Sequence, residues 1–426
     1  MQKYPFEQFK NLLNFAFNNE YSSFYRDKYR KAGFTPDSDF RSLKDVKKVP
    51  LLTREELAQE NTSQLLFIPE QKVGAVSPTS GTTTGKPFIV FHSKDVLGSP
   101  PNHVMQQKKV LLLIEPFRAP AIHVTALMKR EKIIYLAGDI FNLPASCLLA
   151  SKLGVNHIFT TPTLAIILKK YLVNYPDFQK NLRALSLIGE KVSPEKKKLL
   201  QELYPNKEIF IMYGISEMNG ELAFQCHALA ERNGEILFHP RFKDCYFEII
   251  NPETKEEVPF EEQGELVITS FKNRATPLIR YRPGDSASFR KNNCPCGILN
   301  PLLAIHGRIN YDIVKAGGFE LRSDMLEKPL LNLGLFLKNE FEIHIYEKFA
   351  ENKPKIQIKI NLSLKEGVKE SPELKQKIEN ELLENWQLSP RLKLKRAIEA
   401  GFFESLQINF VNFPKSPKPK RSLLLH

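Results

Sequence analysis

The stretch Pro78-Thr79-Ser80-Gly81-Thr82-Thr83-Thr84-Gly85-Lys86-Pro87 decides how the rest of this chain is read. It is a run of hydroxyls and glycines closed by a lysine. Glycine lets the backbone turn with its amides on one side, and the hydroxyls add donors, a combination that suits the oxyanions of a triphosphate. A Walker A loop needs four residues between its glycine and Gly-Lys, then Ser or Thr, then a helix. Here three residues intervene, Pro87 follows the lysine, and Phe88-Ile89-Val90-Phe91 reads as a strand. The expected geometry is a hairpin tip between two strands that holds phosphates. Alone, the same residues also spell a polar turn.

Five further segments follow in order. Tyr213-Gly214-Ile215-Ser216-Glu217 ends the apolar run Ile209-Phe210-Ile211-Met212. Gly264-Glu265-Leu266-Val267-Ile268-Thr269 precedes Pro277-Leu278-Ile279-Arg280-Tyr281-Arg282-Pro283-Gly284-Asp285. Gly307-Arg308 and Lys315-Ala316-Gly317-Gly318 come last. Together with the hairpin this order resembles the adenylate-forming superfamily of acyl-CoA synthetases, and most of all its phenylacetate–CoA ligase branch. Ser23-Phe24-Tyr25-Arg26-Asp27-Lys28 and Val49-Pro50-Leu51-Leu52-Thr53 look like that branch too. The likeness spans most of the chain and is weakest between Lys94 and Tyr135.

At 426 residues, two domains are the default. Hydrophobic residues at 42% and charged residues at 26% describe a globular composition, and no apolar stretch reaches the length of a membrane span. Met1-Gln2-Lys3-Tyr4-Pro5 has no signal-peptide layout, so a cytoplasmic location and no membrane partner are expected. Five cysteines then argue for metal binding or burial over a disulfide framework. The net charge of +13 is spread over scattered lysines with no nucleic-acid motif. A basic surface also suits an enzyme that gathers anionic ATP and coenzyme A.

Residues up to about 70 alternate amphipathic segments with polar turns, a helical opening in which Thr53 and Glu56 form a capping box. From Val73 to about Ile268, short apolar runs such as Lys132–Leu136, Ala184–Ile188 and Glu208–Met212 alternate with helical patterns such as Pro194–Leu203. The fold class is therefore α/β. Tyr246–Ile250 and Glu265–Ile268 suggest a small β-rich subdomain. Beyond Gly307-Arg308, Phe341–Ile345 and Ile356–Ile360 alternate as strands do. A helix follows them, opened by Ser371 and Pro372 and carrying Leu374, Ile378, Leu382 and Trp386 on one face, and a last strand runs from Leu406 to Val411. We read this as a compact β-α-β unit followed by a lysine-proline tail, Pro414 to Arg421. The expected division is a large adenylate-forming domain, 1–307, and a small α+β C-terminal lid, 308–426. A homodimer is left open.

The resemblance implies that a carboxylate attacks the α-phosphate of ATP, pyrophosphate leaves, and a thiol, normally that of coenzyme A, takes the acyl group. Such chemistry needs positioned donors and cations more than a protein nucleophile. Ser80, Gly81, Thr82, Thr83, Thr84, Gly85 and Lys86 would hold the β- and γ-phosphates; the family loop usually has two hydroxyl residues between its glycines, and this one has three. Glu217 aligns with the magnesium-binding glutamate, a hard oxygen ligand. Ser216 replaces a commoner threonine, and Gly214 and Tyr213 complete that motif, with Tyr213 against adenine. Gly189 and Glu190 are expected at the pocket, with Thr160-Thr161-Pro162. Asp285 would take the two ribose hydroxyls, and Arg308 the ribose or phosphates. Asn310 aligns with the lid hinge, where the family prefers a charged residue. Lys315 to Phe319 would face coenzyme A. Lys418 aligns best with the adenylation lysine, with Lys420 and Lys415 as alternatives.

Cys294-Pro295-Cys296 brings two thiols into one turn. Members of the ligase branch carry a Cys, a His and a Cys-Pro-Cys at similar positions, so Cys226, His239, Cys294 and Cys296 form a complete structural zinc set. His227 and Cys245 compete as ligands, and Cys147 is expected in the core. The expected activity is an ATP-dependent carboxylate–CoA ligase acting on an aryl or arylacetic acid. Two alternatives stay open: an adenylate-forming enzyme with another acceptor, and a non-catalytic nucleotide or nucleic-acid binder on the same fold.

Overall fold

The computed structural model describes residues 6–79, 88–96, 109–115, 119–192, 194–218, 220–226, 235–308, 313–316, 319–322, 326–350, 353–389, 392–413 and 421–425. The hairpin tip (80–86), Asn310, His227 and the three candidate tail lysines Lys415, Lys418 and Lys420 lie outside the described residues.

The helical opening forms for local reasons. Helix Phe6–Phe17 buries Phe9, Leu12, Leu13 and Ala16, an i, i+3, i+4, i+7 stripe. Each large side chain buried in this way contributes roughly 1.5–3 kcal/mol. Helix Arg54–Gln59 carries the expected capping box: Thr53 Oγ1 accepts from the Glu56 amide at 3.3 Å, and Glu56 Oε2 accepts from the Thr53 amide at 2.8 Å.

Strands β1 (Val73–Pro78) and β2 (Ile89–Ser93) pair antiparallel, and their last pair is Pro78 with Ile89. The stretch between Pro78 and Phe88 therefore connects two strands of one hairpin. Next come β3 (Lys109–Leu113), β4 (Ile134–Ala137), β5 (His157–Thr160), β6 (Ala184–Leu187) and β7 (Glu208–Tyr213), all mutually parallel. β5 and β6 are buried at every residue, as a sheet covered by helices on both faces requires. Helix Pro162–Leu172 covers one face, capped by Thr161, and helix Pro194–Leu203 lies beside it.

The next strands are β8 (Ala223–Phe224), β9 (Leu237–Pro240), β10 (Cys245–Ile250), β11 (Gly264–Ser270), β12 (Asp285–Arg290) and β13 (Leu302–Arg308). Here the structure departs from the sequence reading. A separate β-rich subdomain is absent among the described residues. Antiparallel β8 and β9 splice these strands onto β7, giving one eleven-stranded mixed sheet ordered β10-β11-β12-β13-β9-β8-β7-β6-β5-β3-β4. Two-residue β8 carries too little pattern to announce the splice. The sheet is strongly curled. β7 and β12 are four strand spacings apart, about 19 Å in a flat sheet, yet the Tyr213 hydroxyl lies 2.6 Å from Asp285.

Beyond β14 (Ile313–Ala316) and β15 (Phe319–Arg322), a hairpin paired Ala316 to Phe319, the C-terminal part forms its own sheet. Its strands are β16 (Leu337–Ala350), β17 (Lys353–Leu364), β20 (Ser405–Phe410) and β21 (Arg421–Leu425), ordered β20-β17-β16-β21, while β18 (Gln387–Ser389) and β19 (Leu392–Lys393) pair separately. The Ser371 hydroxyl caps helix Pro372–Asn385, which buries Leu374, Ile378 and Leu382, and Trp386 closes it fully buried. Two corrections apply. The unit begins with a long antiparallel hairpin, so it is more than a β-α-β repeat. The far end of the expected tail is strand β21, parallel to β16. One apolar cluster runs without a break from Leu164, Leu168, Leu199 and Leu200 of the large unit into Ile343, Ile345, Ile358 and Ile360 of the C-terminal sheet.

Candidate functional site

The site lies where the parallel strands give way to the antiparallel ones. β7 ends at Tyr213, and the chain loops through Gly214, Ser216 and Glu217 before the Leu222 amide returns to the Tyr213 carbonyl at 2.8 Å. A side chain at position 214 would approach the Gly220 carbonyl to 3.0 Å, so the loop is tight because of glycine. Across from it runs the segment Arg280–Asp285. Its backbone is held on both sides: Tyr281 bridges Ile268 of β11 and Leu52, and Gly284 turns at φ +82° to start β12.

Two side-chain bonds join these segments. The Tyr213 hydroxyl donates to Asp285 Oδ2 at 2.6 Å, and the Tyr281 hydroxyl donates to Glu217 Oε1 at 3.0 Å. Asp285 and Glu217 are both buried, 6% and 3% exposed. Buried carboxylates need partners, and Glu217 has a second one in the Arg54 guanidinium, 3.2 Å away. Arg54 also stands over the Phe88 ring at 5.9 Å. Phe88 closes the mouth of the β1–β2 hairpin: the Thr79 amide donates to the Phe88 carbonyl at 2.8 Å, and the Phe88 amide donates to Thr79 Oγ1 at 3.1 Å. The hairpin mouth, Glu217, Tyr281, Asp285 and Tyr213 thus form one linked group. The Arg308 backbone pairs with Asp285 across β12 and β13.

Sequence reasoning missed Arg54. A signal was present: a cation at the first position of a helix opposes the helix dipole and calls for a nearby anion. It also missed that Arg280 and Arg282 are clamps. Arg280 forks onto Glu248 at 2.8 and 3.1 Å and reaches the Val49 carbonyl at 2.7 Å, while Arg282 forks onto Glu265 at 2.6 and 2.9 Å. Both hold the segment that presents Tyr281 and Asp285.

Gly189 follows β6 with φ +95°. The Glu190 carboxylate turns toward the start of helix Pro162–Leu172, where Oε2 accepts from the Thr163 hydroxyl at 2.6 Å and its amide at 3.2 Å. These residues sit at the carboxyl ends of β5 and β6, the side on which parallel sheets bind ligands.

The thiols and imidazole expected to hold zinc do come together. Cys226 follows β8, His239 lies in β9, and Cys294 and Cys296 occupy the turn between β12 and β13. Cys226 Sγ is 3.5 Å from His239 Nε2 and 3.4 Å from Cys294 Sγ, and Cys296 Sγ is 3.5 Å from His239 Nε2. All four ligand atoms lie within 4.8 Å of one another. A tetrahedron with Zn–S near 2.3 Å and Zn–N near 2.0 Å has edges of about 3.5–3.8 Å, so the donor set fits. Asn292 braces the turn through the Cys294 amide at 2.8 Å and the Ile298 and Asn300 carbonyls at 2.6 Å. Burial holds the His239 imidazole below its ordinary range and pushes the Cys294 thiol up to about 12. Cys245 is buried at the start of β10 outside this group, and Cys147 is in the core.

Residues 39–272 match the family model described as AMP-binding enzyme. The chain is 24% identical over 376 residues to a phenylacetate-coenzyme A ligase of Pseudomonas putida, covering 81% of this chain and 79% of that one. It is 25% identical over 333 residues to a phenylacetate-coenzyme A ligase of Escherichia coli (strain K12), covering 72% and 73%. Among solved structures, 2-hydroxyisobutyryl-CoA ligase with 2-HIB-AMP and CoA in the thioesterification state matches with a TM-score of 0.75 at 19% identity, over 99% of this chain and 88% of that one. The same enzyme in the postadenylation state with 2-HIB-AMP gives a TM-score of 0.61 at 17% identity over the same shares. Among the described residues, no helix is long and apolar enough to cross a membrane.

Proposed function

We propose, from the premise that this chain belongs to the AMP-binding enzyme family, that it activates an arylcarboxylic acid with ATP and passes the acyl group to coenzyme A. The observation that carries this reading is the pair of cross-links, Tyr213 to Asp285 and Tyr281 to Glu217, with the hairpin mouth one arginine away. Such a group is suited to grip one nucleotide at its ribose and its phosphates together.

In this reading Asp285 takes the ribose hydroxyls, and Tyr213, already bonded to it, is oriented beside the base. Glu217 would hold Mg²⁺, whose charge offsets that of the phosphates; its buried carboxylate offers the hard oxygen such an ion prefers. Tyr281 fixes that carboxylate's rotamer, and Arg54 compensates its charge. Ser80, Thr82, Thr83, Thr84 and Lys86 grip the outer phosphates, and Arg308 the inner ones or the ribose. The acid enters beside Thr161 and Gly189, where its carboxylate attacks the α-phosphate and pyrophosphate departs. Lys418 supplies a point charge to that phosphate. Units 1–307 and 308–426 then turn about Asn310, and the thiol of coenzyme A attacks the acyl carbonyl, releasing AMP. Cys226, His239, Cys294 and Cys296 would hold a structural zinc that ties β8 and β9 to the turn before β13.

A carboxylate-dependent ATP–pyrophosphate exchange assay, run with a panel of aryl, arylacetic and short hydroxy acids, tests this. Exchange that requires an aryl or arylacetic acid, followed by thioester formation on adding coenzyme A, is the expected result. Exchange without thioester formation would reject coenzyme A as acceptor, and no exchange with any acid would reject the reading.

A further inference from the structure

Lys196 is a charged side chain with almost no access to water, 1% exposed, on helix Pro194–Leu203. A buried ammonium persists only with counter-charges close by. Its nearest one comes from the other unit: Glu347 Oε1, on β16 of the C-terminal sheet, is 2.6 Å away. The second is Glu190 Oε2 at 3.6 Å, in the loop after β6. That same Glu190 oxygen receives the Thr163 amide and hydroxyl at the start of helix Pro162–Leu172. A line of charge therefore runs from the pocket wall, through Glu190 and Lys196, to the C-terminal sheet. Burial pushes the Glu347 carboxyl up, Lys196 pulls it down and Glu190 raises it again.

The surrounding contact is apolar. Helix Pro194–Leu203 meets β16, helix Pro162–Leu172 meets β17, and the cluster between them is continuous. Apolar packing is non-directional and tolerates sliding, whereas one ion pair inside it has a single good geometry. We propose that Lys196 is a positioning residue: it registers the C-terminal unit against the acyl pocket by binding Glu347 in one orientation of that unit and falling back on Glu190 in any other. This rests on the reading under Proposed function, in which the two half-reactions use different orientations of the unit. The Lys196–Glu347 contact belongs to one of them alone.

The test uses the full chain with Glu347→Gln, Lys196→Gln and the double variant. Acid-dependent exchange reads the first half-reaction, and thioester formation from preformed acyl adenylate reads the second. One half-reaction should fall at least about fivefold while the other stays within about twofold, and the double variant should be no worse than the worse single one, as for two ends of one contact. Equal loss in both, no loss in either, or additive losses would overturn the proposal. Hydrogen exchange of the β16 and helix Pro194–Leu203 amides gives a readout free of activity. Faster exchange there in Glu347→Gln supports the registering contact, and unchanged exchange overturns it. A parent chain with no exchange activity on any acid would sink the functional reading, while the amide measurement would still decide the role of Lys196.

Discussion

β5 and β6 are buried at every residue and deliver the site from the loops at their carboxyl ends, through Thr161, Gly189 and Glu190. The antiparallel strands deliver it from β12 and the segment just before it, through Asp285 and Tyr281, a segment set in place by the Arg280–Glu248 and Arg282–Glu265 ion pairs. Apart from the Lys196 cluster, the parallel half is thus positioned by apolar packing and helix caps, and the antiparallel half by buried charge. Apolar packing spreads its cost over many contacts. A buried charge concentrates it in one or two, so the antiparallel half should be the more brittle.

The sharpest way to break that contrast is Arg280→Met. It leaves Glu248 buried with its counter-charge gone, and a loss of about 3–5 kcal/mol is expected from denaturant unfolding. The matched change in the parallel half is Thr163→Val, which removes one hydroxyl bond to Glu190 and should cost about 1.5–3 kcal/mol. Equal costs would dissolve the distinction.

Next in size is Glu217→Ala, at the point where the halves touch. A fall of about 10²–10³ in the exchange rate is expected, the scale seen when one preorganised group is lost. The unfolding midpoint is the control: a loss of activity that simply followed the fraction folded would remove Glu217 from the site.

Cys294→Ser tests the antiparallel half away from the proposed nucleotide site. Elemental analysis of protein purified without chelator should give about one zinc per parent chain and under about half in the variant. The variant should also melt lower while its exchange rate per folded molecule stays within about threefold. A parent chain without zinc would reject the site.

The smallest effect concerns Glu221, in the loop before β8. Burial pushes its carboxyl up to about 7, against the pull of Arg241, whose Nη1 is 3.2 Å away. A carboxyl raised in the folded state stabilises most below its unfolded value near 4.5, and that share is lost as pH climbs through about 7. Glu221→Gln should therefore flatten the decline in melting temperature between pH 5 and pH 8. An unaltered profile would show that the carboxyl titrates normally.

What was legible in the sequence was local. The Thr53 and Ser371 caps, the strand before Tyr213 and the turn at Cys294 each depend on residues within a few positions of one another. The meeting of Cys226 and His239 with that turn was legible only through a family likeness, since 68 positions separate Cys226 from Cys294. The single large sheet was not legible, because it hangs on β8, two residues long, and on β9 pairing with β13 some 65 positions away. The role of Lys196 was not legible either. Its burial depends on a strand that begins 141 positions later, at Leu337, and no local pattern carries that.

The splice between the halves has a consequence for how the chain finds its alignment. β9 is buried at all four positions, so inside–outside alternation gives it little to distinguish one pairing from the next. Slipping it by one residue would offer Phe238 or Pro240 where His239 now meets Cys226. Coordination would forbid the slip, because neither side chain can bind an ion. A metal there would act less as a rivet than as a proofreader, rejecting misaligned chains while they are still folding.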